Sequence, residues 1–356
     1  MLTVHSPPHL EKIGDQIASA HPQLSGRLFA TSGSSAVPKW VWHQEESLNW
    51  CAEMASAQLG LKSKDTFGLA LPSFHVGGFG VEYRARLLNA PLRRYEKYSR
   101  KWQPELAHHW LTEEKITVVS LVPTQIYDFV QANLFCPPHL RIVLVGGEHL
   151  PENLLLSASE LNWPLISSYG MTETAGLIAA SQIGETSLQV LPGWQVERNP
   201  DGLLSVNSPG IFSGYLTREA IIPTEPPFCT TDCGTISNGI LTLNGRADEQ
   251  IKIRGELIDL ATLRKSLSAV FPKTPSALLA KPHPRQGYSL HACLLLGKSK
   301  EEELRDRFQK WNTSLPPFSR CEECRILQKF PRTPIGKLDY PALTQLLGGE
   351  QSSLLH

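Results

Sequence analysis

The chain has 356 residues, enough for one large domain and a smaller one, and 41% of them are hydrophobic, as a packed globule requires. Lys plus Arg and Asp plus Glu both number 34, so the formal net charge is zero. No basic or acidic tail offers broad capture of nucleic acid or an anionic membrane, and the expected partner is a small molecule. Met1–Leu10 carries His5, Pro7 and Pro8 and lacks the charged-then-apolar order of a signal peptide. No apolar run reaches membrane-spanning length; the longest, around Ile116–Val122 and Ile142–Val145, read as short buried strands. The seven cysteines lack disulfide-scaffold spacing, and Cys321 and Cys324 form a single C-x-x-C with no second pair to complete a zinc site. They are read as reduced, and the protein as cytoplasmic.

In chain order, short β-branched runs alternate with amphipathic stretches, the pattern of an α/β domain. Strands are expected at Thr66–Leu71, Ile116–Leu121, Arg141–Val145 and Pro164–Ser167, and helices at Glu45–Leu59, Pro104–Glu114 and Thr124–Asn133. Beyond about Gly184 the texture becomes short strands with Gly, Pro and Asn turns, such as Gly202–Asn207 and Ile236–Leu243, which predicts a β-rich subdomain. Turn residues at Gly245–Gln250 precede a strand at Ile251–Ile253, which divides the chain into residues 1–246 and 247–356. The second part is expected to be α+β, with a helix at Lys300–Asn312 and a Gly-bearing loop at Arg332–Lys337.

Thr31-Ser32-Gly33-Ser34-Ser35-Ala36-Val37-Pro38-Lys39 concentrates hydroxyls, a glycine and a lysine. Glycine lets successive amides turn toward an anion, the hydroxyls add donors, and Lys39 adds charge, so the segment suits the β- and γ-phosphates of ATP. It lacks Walker A spacing, and by itself it also fits a flexible Ser/Gly linker. A second cluster, Ser168-Tyr169-Gly170-Met171-Thr172-Glu173-Thr174, follows a predicted strand, where open α/β sheets place ligands. An aromatic ring there can stack on a base, a hydroxyl can bind phosphate and a carboxylate can hold Mg²⁺. An ordinary strand-to-helix turn would look similar.

These segments, with Asp232, Gly245-Arg246-x-Asp248 and Pro334-x-Gly336-Lys337, stand in the order seen in the adenylate-forming superfamily, which the chain resembles from Leu28 to Leu343. The resemblance implies an acyl-CoA synthetase-like α/β fold: a large N-terminal domain with a β-rich subdomain, and a small mobile C-terminal domain. Leu71–Gly78, Ser120–Gln125 and Asn238–Arg246 are similar to one branch, the succinylbenzoate ligases, which implies o-succinylbenzoate as the acid and CoA as the thiol, in menaquinone biosynthesis.

The resemblance also assigns roles. It implies that Thr31, Ser32, Gly33, Ser34, Ser35, Lys39 and Thr172 bind the ATP phosphates, with Glu173 as the Mg²⁺ ligand. Gly146, Gly147, Glu148, Tyr169, Gly170 and Met171 would contact adenine, and Asp232 and Arg246 the ribose hydroxyls. A carboxylate accepts two hydroxyl protons and a guanidinium donates in a fixed fork, so those types suit the task. Asp232 reads equally as a turn residue before Gly234. Lys337 would be catalytic, its ammonium offsetting the repulsion between carboxylate and α-phosphate. Asp248 would be the hinge, with Lys252, Arg254 and Gly255 on the CoA side after domain rotation. His75 resembles the gate of the acyl pocket. Arg84 falls where succinylbenzoate ligases carry an arginine for the carboxylate that is not activated; a salt bridge to Glu82 is the plain alternative.

The sequence departs from the family pattern at Ala36 and Thr231, where glycine is usual, which predicts slower ATP binding. Relatives also carry a sizeable α/β subdomain ahead of the phosphate loop, which here begins at Thr31. The surface beneath it is expected to be apolar and exposed, with burial in a homodimer as one outcome. The same residues remain compatible with another aryl or fatty acid, with a carrier-protein thiol as acceptor, or with a nucleotide-binding remnant that has lost turnover.

Overall fold

The structure is a computed structural model. It describes residues 1–31, 38–99, 101–254, 256–272, 274–297, 300–333 and 337–348, without the side chains of Asp248, Lys252 and Leu257. The chain divides into two compact units, residues 1–230 with 235–242, and residues 231–234 with 243–356.

The first unit is organised by parallel strands laid side by side in the order Leu92–Arg94, Phe67–Leu69, Val118–Leu121, Ile142–Val145 and Leu165–Tyr169. Helices cover both faces, so the central strands are buried throughout and read as continuous apolar runs. Along them the side chains alternate between two cores. Val118, Ile142 and Leu144 join Leu48, Cys51, Ala52 and Phe79 from helices Glu45–Gln58 and Val76–Leu87. Val119, Leu121, Val143 and Val145 join Trp110, Phe129 and Leu154 from helices Pro104–Glu113, Pro123–Gln131 and Glu152–Glu160. After Tyr169 the sheet reverses into antiparallel pairing with Ala179–Ala180 and Leu188–Val190, and so enters the β-rich region.

The predicted helices and parallel strands fall within a few residues of their expected places. One expectation is corrected: Ile236–Leu243 is not one strand. Strand Phe228–Ser237 ends at a turn in which Asn238 and Gly239 both have positive φ, and Ile240–Arg246 returns as its partner. Asn-Gly is the pair that adopts this turn with least strain. Asp232 accordingly lies inside a strand and is not a turn residue.

A second sheet carries the order Leu2–His5, Gly26–Ala30, Trp40–His43, Gly214–Leu216, Ile221–Pro223. One face presents Leu28, Trp40, Trp42 and Leu216. It is covered from within the chain: Leu2 and, from helix Glu11–Ala20, Ile17 pack on it and are buried. That face therefore gives no argument for a second subunit. The opposite face turns Phe29, Val41, His43 and Tyr215 toward the main core and the turn after Tyr169.

The second unit is α+β. A three-stranded sheet of Ser276–His283, Gly287–Leu295 and Cys321–Leu327 buries Leu278, Leu290 and Leu294 against helices Leu260–Val270 and Glu301–Ser314, and Ala277, Leu279 and Cys293 against helix Tyr340–Gly348. Cys321 and Cys324 both border the first of these cores, and burial pushes each thiol up to about 12.

The cover over the second sheet is close-fitting. A Cβ built on Gly14 would stand 2.5 Å from Val4 Cγ1 and 2.6 Å from Trp40 Cη2. Overpacking of this kind costs about 1–3 kcal/mol, more than the roughly 1 kcal/mol of helix propensity that alanine returns. Gly14→Ala is therefore expected to lower the urea midpoint at unchanged slope. A midpoint equal to or above the parent's would mean that the helix does not pack there.

Candidate functional site

The parallel strands end together, and the site forms at those ends. Strand Ile142–Val145 runs into Gly146-Gly147-Glu148, and the neighbouring strand Leu165–Tyr169 into Gly170-Met171-Thr172. The two segments are tied by Ser168 Oγ, which donates to the Val145 carbonyl at 2.8 Å. Ser168 comes so close that a Cβ on Gly146 would lie 2.5 Å from its Oγ, which explains glycine there sterically. Gly147, with φ of 86°, is exposed, and Glu148 is half-buried. Tyr169 is buried. The adenine-binding residues expected from sequence are thus brought side by side.

No helix follows Tyr169. The chain makes a single 3-10 turn, Thr172–Thr174, and Ala175 leaves it with φ of 52°. This turn is held from outside at each of its residues. His43 Nε2 lies 2.7 Å from the Thr172 carbonyl, the Phe212 amide donates to the Glu173 carbonyl at 2.9 Å, and Cys51 Sγ donates to the Thr174 carbonyl at 3.6 Å. A carbonyl only accepts, so Nε2 carries the proton. His43 is fully buried, and desolvation lowers its pKa to about 4, so the ring is neutral at pH 7. Glu173 is half-buried, and its Oε1 accepts from the Tyr215 hydroxyl at 2.9 Å.

Among the described residues no three His, Cys, Asp or Glu side chains converge as a metal site. A divalent ion at Glu173 would take its remaining oxygens from phosphate and water, which is how Mg²⁺ is usually held. The single carboxylate fits that ion.

Of the phosphate loop, Ser32–Val37, with Gly33, Ser34, Ser35 and Ala36, lies outside the described residues. Its ends are described: the Thr31 amide donates to the Lys39 carbonyl at 2.9 Å, closing the loop between paired strands Gly26–Ala30 and Trp40–His43. Lys39 Nζ stands 5.3 Å from the centre of the Tyr215 ring. The end of the loop and the Thr172–Thr174 turn therefore meet at Tyr215. His43, Cys51 and Tyr215 were not singled out from sequence. Only His43 left a trace there, as an imidazole in the otherwise apolar run Trp40-Val41-Trp42.

On the acyl side, His75 caps helix Val76–Leu87, its Nδ1 accepting from the Gly77 amide at 3.3 Å. Arg84, in that helix, is 7% exposed, and burial lowers its pKa to about 10, so it is cationic at pH 7. Its Nε is buried with no hydrogen-bond partner among the described residues. Glu82, the plain alternative partner, is instead paired with Arg94. The neighbours of Arg84 are apolar or weakly polar: Cys51, Phe79, Gly80, Ala175 and Leu177.

In the second unit Arg246 reaches Asp232 Oδ1 from Nη1 at 3.2 Å and Thr231 Oγ1 from Nη2 at 2.6 Å. The two residues expected to hold ribose are thus in contact, and Thr231, in extended strand, supplies an anchor for Arg246. Lys337 is half-buried in a loop closed by the Thr333 amide on its carbonyl at 2.8 Å; Pro334–Gly336 lie outside the described residues. Asp248 lies in a 3-10 turn at Ala247–Glu249, its side chain undescribed. Of the CoA-side residues, Arg254 is exposed and bonds Gln286 Oε1 at 3.0 Å, whereas Gly255 and the Lys252 side chain lie outside the description.

Residues 27–216 match the family described as AMP-binding enzyme, which is more than half of the chain. The chain belongs to the AMP-binding enzyme family. Among its relatives is the 2-succinylbenzoate–CoA ligase of Oceanobacillus iheyensis, 26% identical over 328 residues, covering 86% of this chain and 67% of the relative. In fold this AMP-binding enzyme is similar to the o-succinylbenzoate CoA synthetase of Bacillus subtilis in complex with the acyl-adenylate intermediate OSB-AMP, at TM-score 0.73 and 23% identity over 92% of this chain and 70% of the other. The same synthetase in complex with ATP and magnesium ion matches at TM-score 0.72 and 23% identity over 89% and 69%. The chain spans about two thirds of the length of these proteins. Among its described residues no helix is long and apolar enough to cross a membrane.

The buried imidazole makes a pH prediction. The folded pKa of His43 is depressed, so on acidification the unfolded chain takes up the proton first. This contribution to stability is whole above about pH 6.5 and is lost as pH falls toward 4, with about 2 kcal/mol gone between pH 7.5 and 5. His5 shifts in the same direction, so the parent alone does not isolate the effect. His43→Gln keeps an N–H donor and removes the titration. Urea unfolding at the two pH values is expected to show the parent's advantage over this variant shrinking by about 2 kcal/mol at pH 5; an equal gap at both pH values would contradict it.

Proposed function

We propose that this AMP-binding enzyme is an ATP-dependent acid–thiol ligase that adenylates o-succinylbenzoate and passes the acyl group to CoA, a step of menaquinone biosynthesis. The observation that carries the choice of acid is Arg84, a buried cation with no carboxylate partner among the described residues. o-Succinylbenzoate has two carboxylates, and the one that does not react would pair with this guanidinium. The relatives named for this acid support the reading.

The chemistry runs in two steps. A carboxylate oxygen attacks the α-phosphorus of ATP, and pyrophosphate leaves with the electron pair of the broken P–O bond. The thiol sulfur of CoA then attacks the acyl carbon, the thiol proton is lost, and AMP departs. Mg²⁺, when bound beside Glu173, supplies charge neutralisation on the phosphates. Tyr169 and the Gly146–Glu148 segment bind the base, Asp232 and Arg246 hold the ribose, and Lys337 offsets the charge that builds as two anions meet. Residues 247–356 act as a mobile domain hinged at Asp248, presenting Lys337 for the first step and the strand around Lys252–Arg254 for the second.

The space beside Arg84 measures about 10 Å³, so an aryl acid enters only as the surrounding side chains move apart. Pairing of the second carboxylate with Arg84 offsets the free energy of that opening. Acids with a single carboxylate would have to open the pocket and still leave the cation unpaired.

The test is pyrophosphate exchange driven by o-succinylbenzoate. Lys337→Ala is expected to reduce exchange by about a hundredfold or more. Arg84→Met is expected to raise the KM for o-succinylbenzoate by about a hundredfold and to erase its preference over benzoates lacking the second carboxylate. If the parent exchanges equally well with those benzoates, the substrate assignment fails. Should no acid support exchange, adenylation itself fails.

A further inference from the structure

We infer that Tyr215 is a positioning residue for the metal–nucleotide complex, acting through the carboxylate of Glu173 and coupling it to the phosphate-loop lysine. The inference rests on the adenylation reading above and extends it to a residue outside the sequence motifs. Tyr215 lies on strand Gly214–Leu216, directly paired with Val41 of the strand that leaves the phosphate loop. Its position is therefore set by the same backbone that sets Lys39.

Three contacts define its role. The hydroxyl donates to Glu173 Oε1 at 2.9 Å. The ring lies beneath Lys39 Nζ, 5.3 Å from its centre, within cation–π range. The ring edge packs on Phe212, at 4.8 Å between centres and 62° between planes, and Phe212 also bonds the Glu173 backbone carbonyl through its amide. Side chain and main chain of Glu173 are thus held by two residues of one short segment.

The hydroxyl can only be a donor here. The carboxylate oxygen it meets is an acceptor, so the phenol supplies the proton of this bond. A carboxylate with one oxygen committed to that proton is restrained in orientation and presents Oε2 toward a cation. Partners behind a metal ligand orient it and tune its affinity, and their loss typically weakens metal binding by about tenfold or more. A tyrosine that served only to anchor its own strand would change stability without changing the metal dependence of nucleotide binding.

The experiment reads metal binding without turnover. Mn²⁺ is titrated into the whole protein with ATP and no acid, and free ion is counted by electron paramagnetic resonance. Tyr215→Phe keeps the ring beneath Lys39 and removes the hydroxyl. It is expected to raise the apparent Mn²⁺ dissociation constant by about tenfold, with the thermal midpoint within a few degrees of the parent. In a Glu173→Gln background the same substitution is expected to add less than about twofold, because a residue acting through Glu173 has nothing left to act on. Parent-like Mn²⁺ affinity in Tyr215→Phe would overturn the inference, and so would a tenfold loss that persists in the Glu173→Gln background. A parent that holds no Mn²⁺ with ATP would remove the adenylation reading and this inference with it, an outcome visible before any variant is made.

Discussion

The candidate site of this AMP-binding enzyme depends on how one short turn is immobilised. Thr172–Thr174 is too brief to hold itself: a single 3-10 turn supplies little internal hydrogen bonding. Donors from three separate places take its successive carbonyls, His43 from a strand of the second sheet, the Phe212 amide, and Cys51 from helix Glu45–Gln58. Each donor is anchored in a different part of the fold, so the turn cannot shift without disturbing all three. Glu173 inherits this rigidity, which the proposed role as ligand of a weakly held ion would need.

How the elements were legible follows from the same physics. The parallel strands could be read because burial on both faces turns them into continuous apolar runs such as Ile142-Val143-Leu144-Val145. The turn at Asn238-Gly239 carried its usual signal, yet the surrounding β-branched residues concealed it in a seemingly single strand. Residues whose role is set by contact across the chain were not legible. Tyr215 meets Glu173 forty-two positions away, and His43 meets Thr172 at a separation of 129. Nothing local in Gly214-Tyr215-Leu216 marks the tyrosine as more than a strand residue. The cover over the second sheet was missed for a similar reason: Leu2 and Ile17 mean little until the strand and helix that carry them fold back over Trp40 and Trp42.

Departures from the family pattern take on meaning only in their surroundings. Thr231 occupies a place where glycine is usual, and from sequence it reads as a loss. In the strand it is extended, where any residue is comfortable, and its hydroxyl accepts from Arg246 beside Asp232. The guanidinium is thereby held at two points, and a pre-oriented fork loses less entropy on meeting a ligand, as its proposed ribose role requires. Arg246 is about half exposed, so its pairing with Asp232 contributes geometry more than stability.

Arg84 poses the reverse problem, a charge buried without compensation. Desolvation lowers its pKa to about 10, where it still holds its proton, so the protein bears the cost of a buried cation. Such a cost persists where a ligand relieves it. The neighbouring Cys51 cannot, since burial pushes its thiol up to about 12 and it remains neutral. An incoming carboxylate gains twice, from its own charge-assisted hydrogen bonds and from ending the guanidinium's isolation. An acid without that group gains neither and meets the same closed pocket. On the proposed function, discrimination comes less from the shape of the pocket than from the penalty of leaving Arg84 unpaired, so a neutral side chain of similar size there is expected to make the fold more stable and the enzyme less selective.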